Sequence, residues 1–495
     1  MTQRTLTNEF LGVEVSARSA KLRRVDIKDP ALIEARIAIA ALERKYEKKL
    51  EKNYELSRSL VSFQANKVEP GYRWFKFKEG FSSSLVKYSL KKLGINPKKF
   101  LDPFAGSGTT LFVASEIGSE GTGIELLPIS SEIMEIRKYL ANNENKKAIG
   151  LIDKWLKEKP WEKHKKKKPL NHLRITEGAF PPENKDLLER YVALLDIIRD
   201  PELRHVMRFA ALCVLEEISY TRKDGQYLRW DKRSGRKQGS KPFDKGEIKN
   251  FSHAITTKLE AIKTDLGTDT SHELFQVNLT KADASKVKVI NGSCLEILPK
   301  LNSNSHDFLM TSPPYCNRYD YTRTYALELA LLGIDEQGIR DLRQKMLSAT
   351  VENRDKAELQ SFFSKTFTRA SGTFNRQFAL RKILEYLESL KQRKELNNPG
   401  IVRMVKNYFL EMALVIFESS RILKKGSYFI MVNDNVRYAG VNIPVDLILS
   451  DFAEKSGFEV KKIWVLPRGK GNSSQQMGSY GREEMRKCVY VWQKL

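Results

Sequence analysis

The stretch "KFLDPFAGSGTTLFVASEIGSEGTGIELLP", residues 99 to 128, decides the fold. A short apolar run ending in Asp102 meets a turn containing Gly106 and Gly108. Leu111 to Ala114 then continue as a helix, and after Gly118 a second strand ends at Glu125. Strand, glycine turn, helix and strand make a βαβ unit. A crossover helix returns the second strand in the direction of the first, so the chain is expected to build a parallel sheet. Glycines at such a turn let backbone N–H groups and a ligand approach closely at the carboxyl edge of the sheet.

The same stretch narrows the ligand. Glu125 ends its strand 19 residues after Gly106, where a carboxylate can accept bonds from both ribose hydroxyls. Leu111 occupies the place of the third glycine of a dinucleotide fingerprint, so nothing provides for a pyrophosphate. A nucleoside without phosphates fits better. S-adenosylmethionine is such a ligand, and its sulfonium would sit near the Asp102 carboxylate.

Outward from this unit, the α/β pattern resumes at "KVKVINGSCLEILPKLNSNSHDFLMTSPPY", two strands joined by a helical turn. After Gly400 come a helix, a strand, a helix opening at Pro444, and two strands too closely spaced for a helical crossover, which should pair antiparallel. The expected architecture is a doubly wound α/β sheet with one antiparallel edge strand and mainly helical insertions. Residues 1–65 read as an N-terminal helical arm, with one long amphipathic helix over 30 to 60. Residues 66–150 read as the cofactor half of the core, 151–285 as an inserted target-recognition domain and 286–340 as the core segment with the catalytic motif. A helical insertion is expected over 341–400 and the rest of the core over 401–495.

One of these strands runs into Ser312-Pro313-Pro314-Tyr315. Two prolines stiffen the backbone and place a serine oxygen and a proline-preceding carbonyl at the sheet edge. Two acceptors converging on one point suit an exocyclic amine, and the Tyr315 ring offers a face on which a base can stack. A base in a duplex reaches such a pocket only by flipping out. Cys316 follows directly and reads as a pocket-wall residue.

With 86 Lys and Arg against 61 Asp and Glu, the formal net charge is +25, and a polyanionic partner is expected. Four dispersed cysteines and six scattered histidines show no metal-ligand spacing, so no metal site is expected. No apolar run is long enough to span a bilayer, and a reducing cytoplasm is the expected compartment. Residues 220 to 245, "YTRKDGQYLRWDKRSGRKQGSKPFDK", hold nine Lys or Arg among aromatics, and Arg222, Arg229, Trp230, Arg233 and Arg236 are the candidate DNA contacts. Lys165 to Lys168 read as non-specific phosphate affinity or a solubilising run. The glycine-rich loop over 468 to 486, with Arg468, Asn472 and Arg482, could close over a substrate.

"DPFAGSGT" and "TSPPY" resemble motifs I and IV of the amino-group DNA methyltransferases, which make N4-methylcytosine or N6-methyladenine. "FKEGFSSSLVKYSL" (76 to 90) resembles motif X, beside the methionine end of the cofactor, and 401 to 495 resemble motifs V to VIII. The resemblance implies Ser312, Pro313, Pro314 and Tyr315 as the catalytic set. For S-adenosylmethionine it implies Asp102, Phe104, Gly106, Gly108 and Glu125, with Lys78, Phe81 and Ser293 as further members. Ser293 stands where motif III usually has an acidic residue. The serine before the two prolines favours cytosine as the target. Double-stranded DNA and a restriction endonuclease acting on the same site are the implied partners. The other readings are an N6-adenine enzyme, an RNA base methyltransferase and an inactive nucleic-acid-binding subunit.

Overall fold

The computed structural model describes residues 29–64, 66, 69, 71–77, 79–141, 145–224, 227–237, 242–267, 283–467, 470–471 and 483–495. Its frame is an eight-stranded sheet. In chain order the strands are β1 (Leu50–Lys52), β2 (Lys99–Asp102) and β3 (Glu120–Glu125), then, after the hairpin β4 (Thr221–Asp224) and β5 (Tyr227–Trp230), β6 (Val287–Asn291), β7 (His306–Thr311), β8 (Leu423–Asp434), β9 (Phe458–Val465) and β10 (Lys487–Lys494). The spatial order is β1-β9-β10-β8-β7-β2-β3-β6. Seven strands run one way, and β10 alone is antiparallel to both neighbours, β9 and β8.

The antiparallel pair read from the sequence is therefore present, but the reversed strand is not at the edge. It lies between β8 and β9, and β1 closes the sheet outside β9. The same strand corrects the N-terminal arm. The helix α1 (Pro30–Tyr46) buries Leu32, Ala35, Ala38, Leu42 and Tyr46 along one stripe, yet it stops at Tyr46 although Leu50 would prolong the stripe. The unpaired backbone of β9 competes for residues 50 to 52, and the parallel pairing of Leu50 with Ile463 and Lys52 with Val465 wins over helix propensity.

Alternation along the strands divides the core into two layers. Phe100, Phe308, Met310, Ile430, Val432, Val489 and Val491 pack against α2 (Ser83–Leu93) and α3 (Thr109–Glu116). Their neighbours Leu101, Leu309, Phe429, Met431, Tyr490 and Trp492 point the other way, to a layer that includes α1 and residues of α4 (Phe378–Gln392), α5 (Gly400–Ile422) and α6 (Val445–Ser456). The reading of a helix after Gly400 and another opening at Pro444 agrees with α5 and α6. A separate core joins Phe63 and Tyr72–Phe77 to helical segments between residues 127 and 339. No helix among the described residues is long and apolar enough to cross a membrane.

Candidate active site

The carboxyl ends of β2, β3 and β7 meet where the loops leave the sheet. At the first turn, Gly106 has φ 54° and Gly108 φ 77°. A Cβ on Gly108 would lie 2.8 Å from the Met134 side chain, and one on Gly106 would lie 3.1 Å from the Phe77 ring. Gly108 is thus required for packing of the turn onto its helix. Gly106 is required where the turn faces the cavity.

Glu125 organises this turn. Its Oε2 accepts from the Gly106 N–H at 2.7 Å, and its Oε1 accepts from the N–H groups of Leu126 and Leu127 at 2.9 and 2.7 Å. Burial pushes its carboxyl up to about 7 in spite of these three bonds. A cavity opens beside it, walled by Phe104, Gly106, Ile124, Leu126, Ser293 and Met346 among others. Apolar walls, the Glu125 and Glu79 carboxylates and a glycine turn fit an adenosine moiety, and they offer no cluster of cations to a pyrophosphate.

The other residues named for the cofactor sit differently. Asp102 is buried, where its Oδ1 accepts from Thr311 Oγ1 at 2.6 Å and from the Phe104 N–H at 3.1 Å. It ties the end of β2 to the end of β7, and burial raises its carboxyl to about 6. Phe81 belongs to the core layer under α2. From this segment it is Phe77 and Glu79 that line the cavity. Lys78 lies outside the described residues. Ser293 does line the cavity, and its hydroxyl donates to the Lys345 carbonyl at 2.7 Å.

That last bond reveals a wall the sequence did not announce. Lys345, Met346 and Leu347 also line the Glu125 cavity. They are held by Glu411, which accepts from the Ser348 N–H and hydroxyl, both at 2.7 Å, and pairs with Lys356. Arg343 Nε donates to Asp320 at 3.0 Å, and Asp320 in turn caps the turn that follows Tyr315, accepting from the Thr322 N–H at 3.0 Å. Part of the segment read only as a helical insertion thus builds the site.

Ser312 lies on the wall between two cavities. It lines the Glu125 cavity together with Pro314, and it lines a second cavity of about 410 Å³ together with Pro313, Tyr315, Phe63, Asp434 and Lys487. Phe77, Glu79 and Tyr321 are also common to both. The Ser312 hydroxyl donates to the Tyr315 hydroxyl at 3.3 Å, while Tyr319 and Tyr325 both donate to Glu79. Two cavities that meet at one hydroxyl can hold a donor and an acceptor of a transferred group. Cys316 is not on this wall, because it is fully buried, with its carbonyl accepting from Tyr438 at 2.7 Å.

The basic segment forms the hairpin β4–β5, with Arg222 opposite Arg229. The guanidinium of Arg229 stacks on Phe243, 4.1 Å from the ring centroid, with Arg222 at 6.0 Å. Arg236 stacks on Trp230 at 3.7 Å and donates to the Glu177 carbonyl at 2.6 Å. Arg233 forms a fork with Asp231, at 2.7 and 2.9 Å, which holds that carboxyl well below the usual range. Arg233 and Arg236 therefore brace the hairpin, although Arg233, like Arg222, remains exposed. In the lysine run, Lys168 pairs with Asp196 at 2.8 Å and Lys167 with Asp186, so these two charges are partly neutralised. Arg468, Asn472 and Arg482 lie outside the described residues. Among those described, no group of three or more His, Cys, Asp or Glu is arranged to hold a metal ion.

The sheet is that of a class I methyltransferase, and the relatives that the chain matches make S-adenosylmethionine its methyl donor. The chain is 52% identical over 460 residues to the type II methyltransferase M.AvaI of Nostoc sp., covering 92% of each chain. It is 40% identical over 474 residues to the type II methyltransferase M.BsoBI of Geobacillus stearothermophilus, covering 92% of this chain and 91% of that one. A shorter stretch, 115 residues, is 30% identical to the type II methyltransferase M.MjaII of Methanocaldococcus jannaschii. No protein-family model matches the chain. The chain belongs to the type II DNA methyltransferases, the modification enzymes of restriction-modification systems.

Proposed function

We propose that this enzyme methylates N4 of a cytosine flipped out of duplex DNA. The observation that carries the reading is the position of Ser312 on the wall shared by the cofactor cavity and the Tyr315 cavity. S-adenosylmethionine, when bound, supplies an electrophilic methyl group. The protein must then fix the amine so that its lone pair faces that methyl. The Ser312 hydroxyl and a proline-preceding carbonyl accept the two amine hydrogens, which turns the lone pair out of conjugation with the ring. Tyr315 stacks on the base, a contact worth about 1–3 kcal/mol that offsets part of the cost of flipping. A serine here, in place of a carboxylate, favours cytosine. The exposed Arg222, on the hairpin, is the candidate for contacting the duplex outside the pocket, while Arg233 and Arg236 keep the hairpin in shape. Restriction by an endonuclease of the same specificity is the process from which the methyl group would protect the host.

The test is the product. Duplex DNA methylated by the purified enzyme and digested to nucleosides should contain N4-methylcytosine by mass spectrometry, and N6-methyladenine in its place would overturn the assignment.

A second expectation follows from Glu125. As a carboxylate it accepts the ribose hydroxyls; as a carboxylic acid it loses that capacity. Burial raises its pKa to about 7, so the carboxylate is the major form only above that pH. Cofactor affinity should accordingly be highest at pH 8 and fall through 7, by up to about tenfold per pH unit below it. Calorimetry across pH 6 to 8 should show this slope in the wild type and a flat profile in Glu125→Gln. A flat wild-type profile would remove Glu125 from ribose binding.

A further inference from the structure

The reversed strand has a consequence for the base cavity. Strands β7 and β8 end at the catalytic edge of the sheet, whereas β10, running the other way, begins there. Its first residue is Lys487, which the register sets directly opposite Asp434, the last residue of β8. Both side chains line the cavity of Ser312 and Tyr315. Both are largely enclosed, with side-chain exposures of 18% for Lys487 and 14% for Asp434. The ammonium lies 3.6 Å from Asp434 Oδ1 and 5.8 Å from the centre of the Tyr315 ring.

An ammonium offers three donors and no acceptor. It cannot take an amine hydrogen, so in this cavity it must face an acceptor of the bound base. Burial disfavours its charge, but its surroundings, the Asp434 carboxylate among them, hold it above the ordinary lysine range. A largely buried cation kept charged on a cavity wall next to the Tyr315 ring is a poor structural filler and a strong hydrogen-bond donor.

The base proposed for this cavity presents such an acceptor. In cytosine the carbon bearing the amine is flanked by the ring nitrogen N3, an acceptor, with O2 beyond it. Ser312 and the adjacent carbonyl take the amine from the β7 side. They leave the ring nitrogen without a partner once it has left the duplex, and an unsatisfied acceptor in an enclosed site is costly.

We infer that Lys487, oriented by Asp434 across the β8–β10 pair, donates a hydrogen bond to the ring nitrogen beside the target amine and so positions and selects the flipped base. This rests on the base-amine reading of the pocket. It also accounts for how a neutral serine, a weaker acceptor than a carboxylate, can be enough at the amine: the orientation of the base is shared with a charged donor on another strand.

The experiment pairs a protein change with a change in the base. Duplexes carrying cytosine or 3-deazacytosine at the target position are compared for kcat/KM with the wild-type enzyme, Lys487→Met and Lys487→Arg. The wild type should lose about 10- to 100-fold on the deaza base, the range of one hydrogen bond to a charged group. Lys487→Met should be slower on cytosine by a similar factor and should discriminate little between the two bases, while Lys487→Arg should recover part of the discrimination. Unchanged S-adenosylmethionine affinity in each variant certifies the fold.

If Lys487→Met keeps the full wild-type discrimination, the inference is wrong. It is also wrong if the variant loses activity equally on both bases and its DNA affinity has a shallower salt dependence, because Lys487 then holds a phosphate. The identity of the base is read separately from the nucleoside product. Should that product be N6-methyladenine, the same comparison with 1-deazaadenine, which lacks N1 beside the amine, decides the role of Lys487 independently of the failed cytosine assignment.

Discussion

Ser312→Ala should reduce methyl transfer by about 10²–10³-fold while leaving S-adenosylmethionine affinity within a few-fold. The size follows from what the hydroxyl is asked to do. As the methyl group moves, the amine nitrogen gains positive charge and its hydrogens become better donors, so an acceptor fixed at that point stabilises the transition state more than the ground state. Removing one preorganised partner of this kind costs about 10²–10³ in rate. Ser312 is held for the task by the stiff Pro313-Pro314 segment and by its contact with the Tyr315 hydroxyl at 3.3 Å.

Tyr315→Ala should act on another step. Loss of the stack removes about 1–3 kcal/mol from the flipped state, so the variant should show a raised KM for DNA as well as a lower kcat. Tyr315 lines the larger cavity beside Ser312 and not the Glu125 cavity. Single-turnover rates with duplex DNA, and with a duplex mismatched at the target base, separate the two variants. The mismatch lowers the flipping cost and should partly rescue Tyr315→Ala but not Ser312→Ala. If either variant turned over like the wild type, the strand end would not be the reaction centre.

What was legible in the sequence follows a physical pattern. The βαβ unit and the Ser-Pro-Pro-Tyr strand end announce themselves because glycine and proline are needed for backbone reasons at fixed, short spacing. Gly106 and Gly108 indeed take positive φ values. The cavity wall at Lys345 to Leu347 had no such signal, since it is carried to the site by Ser293 and Glu411, 52 and 63 residues from their partners. Phe77 and Glu79 were bypassed in favour of Phe81, because a short aromatic and charged run does not reveal which side chain turns inward. The helix expected over 30 to 60 stops at Tyr46 because a strand edge elsewhere in the chain competes for its backbone. Counting arginines likewise cannot separate Arg233 and Arg236, whose guanidinium groups bond to Asp231 and the Glu177 carbonyl, from Arg222.

The hairpin is joined to the reaction centre through a buried ion pair, whose disruption carries the largest expected stability effect. Lys223, on β4, pairs with Glu328, and their side chains are only 3% and 1% exposed. The Lys223 ammonium also lies 4.8 and 4.7 Å from the centres of the Phe75 and Tyr325 rings, and Tyr325 donates to Glu79 on the shared wall of the two cavities. Glu328→Leu leaves that ammonium buried without its counter-charge and should cost about 3–5 kcal/mol, seen as a lower urea midpoint at an unchanged slope. Lys223→Met combined with Glu328→Leu removes both charges and fills their space with apolar atoms, so most of the lost stability should return. DNA affinity need not return with it, because the pair also fixes the angle at which the β4–β5 hairpin meets the aromatic floor of the site. A double variant that is stable but binds its duplex weakly would give the ion pair a positioning role. Recovery of both would make it a packing element alone, and a Glu328→Leu protein as stable as the wild type would show that Lys223 finds water or another partner when its carboxylate is gone.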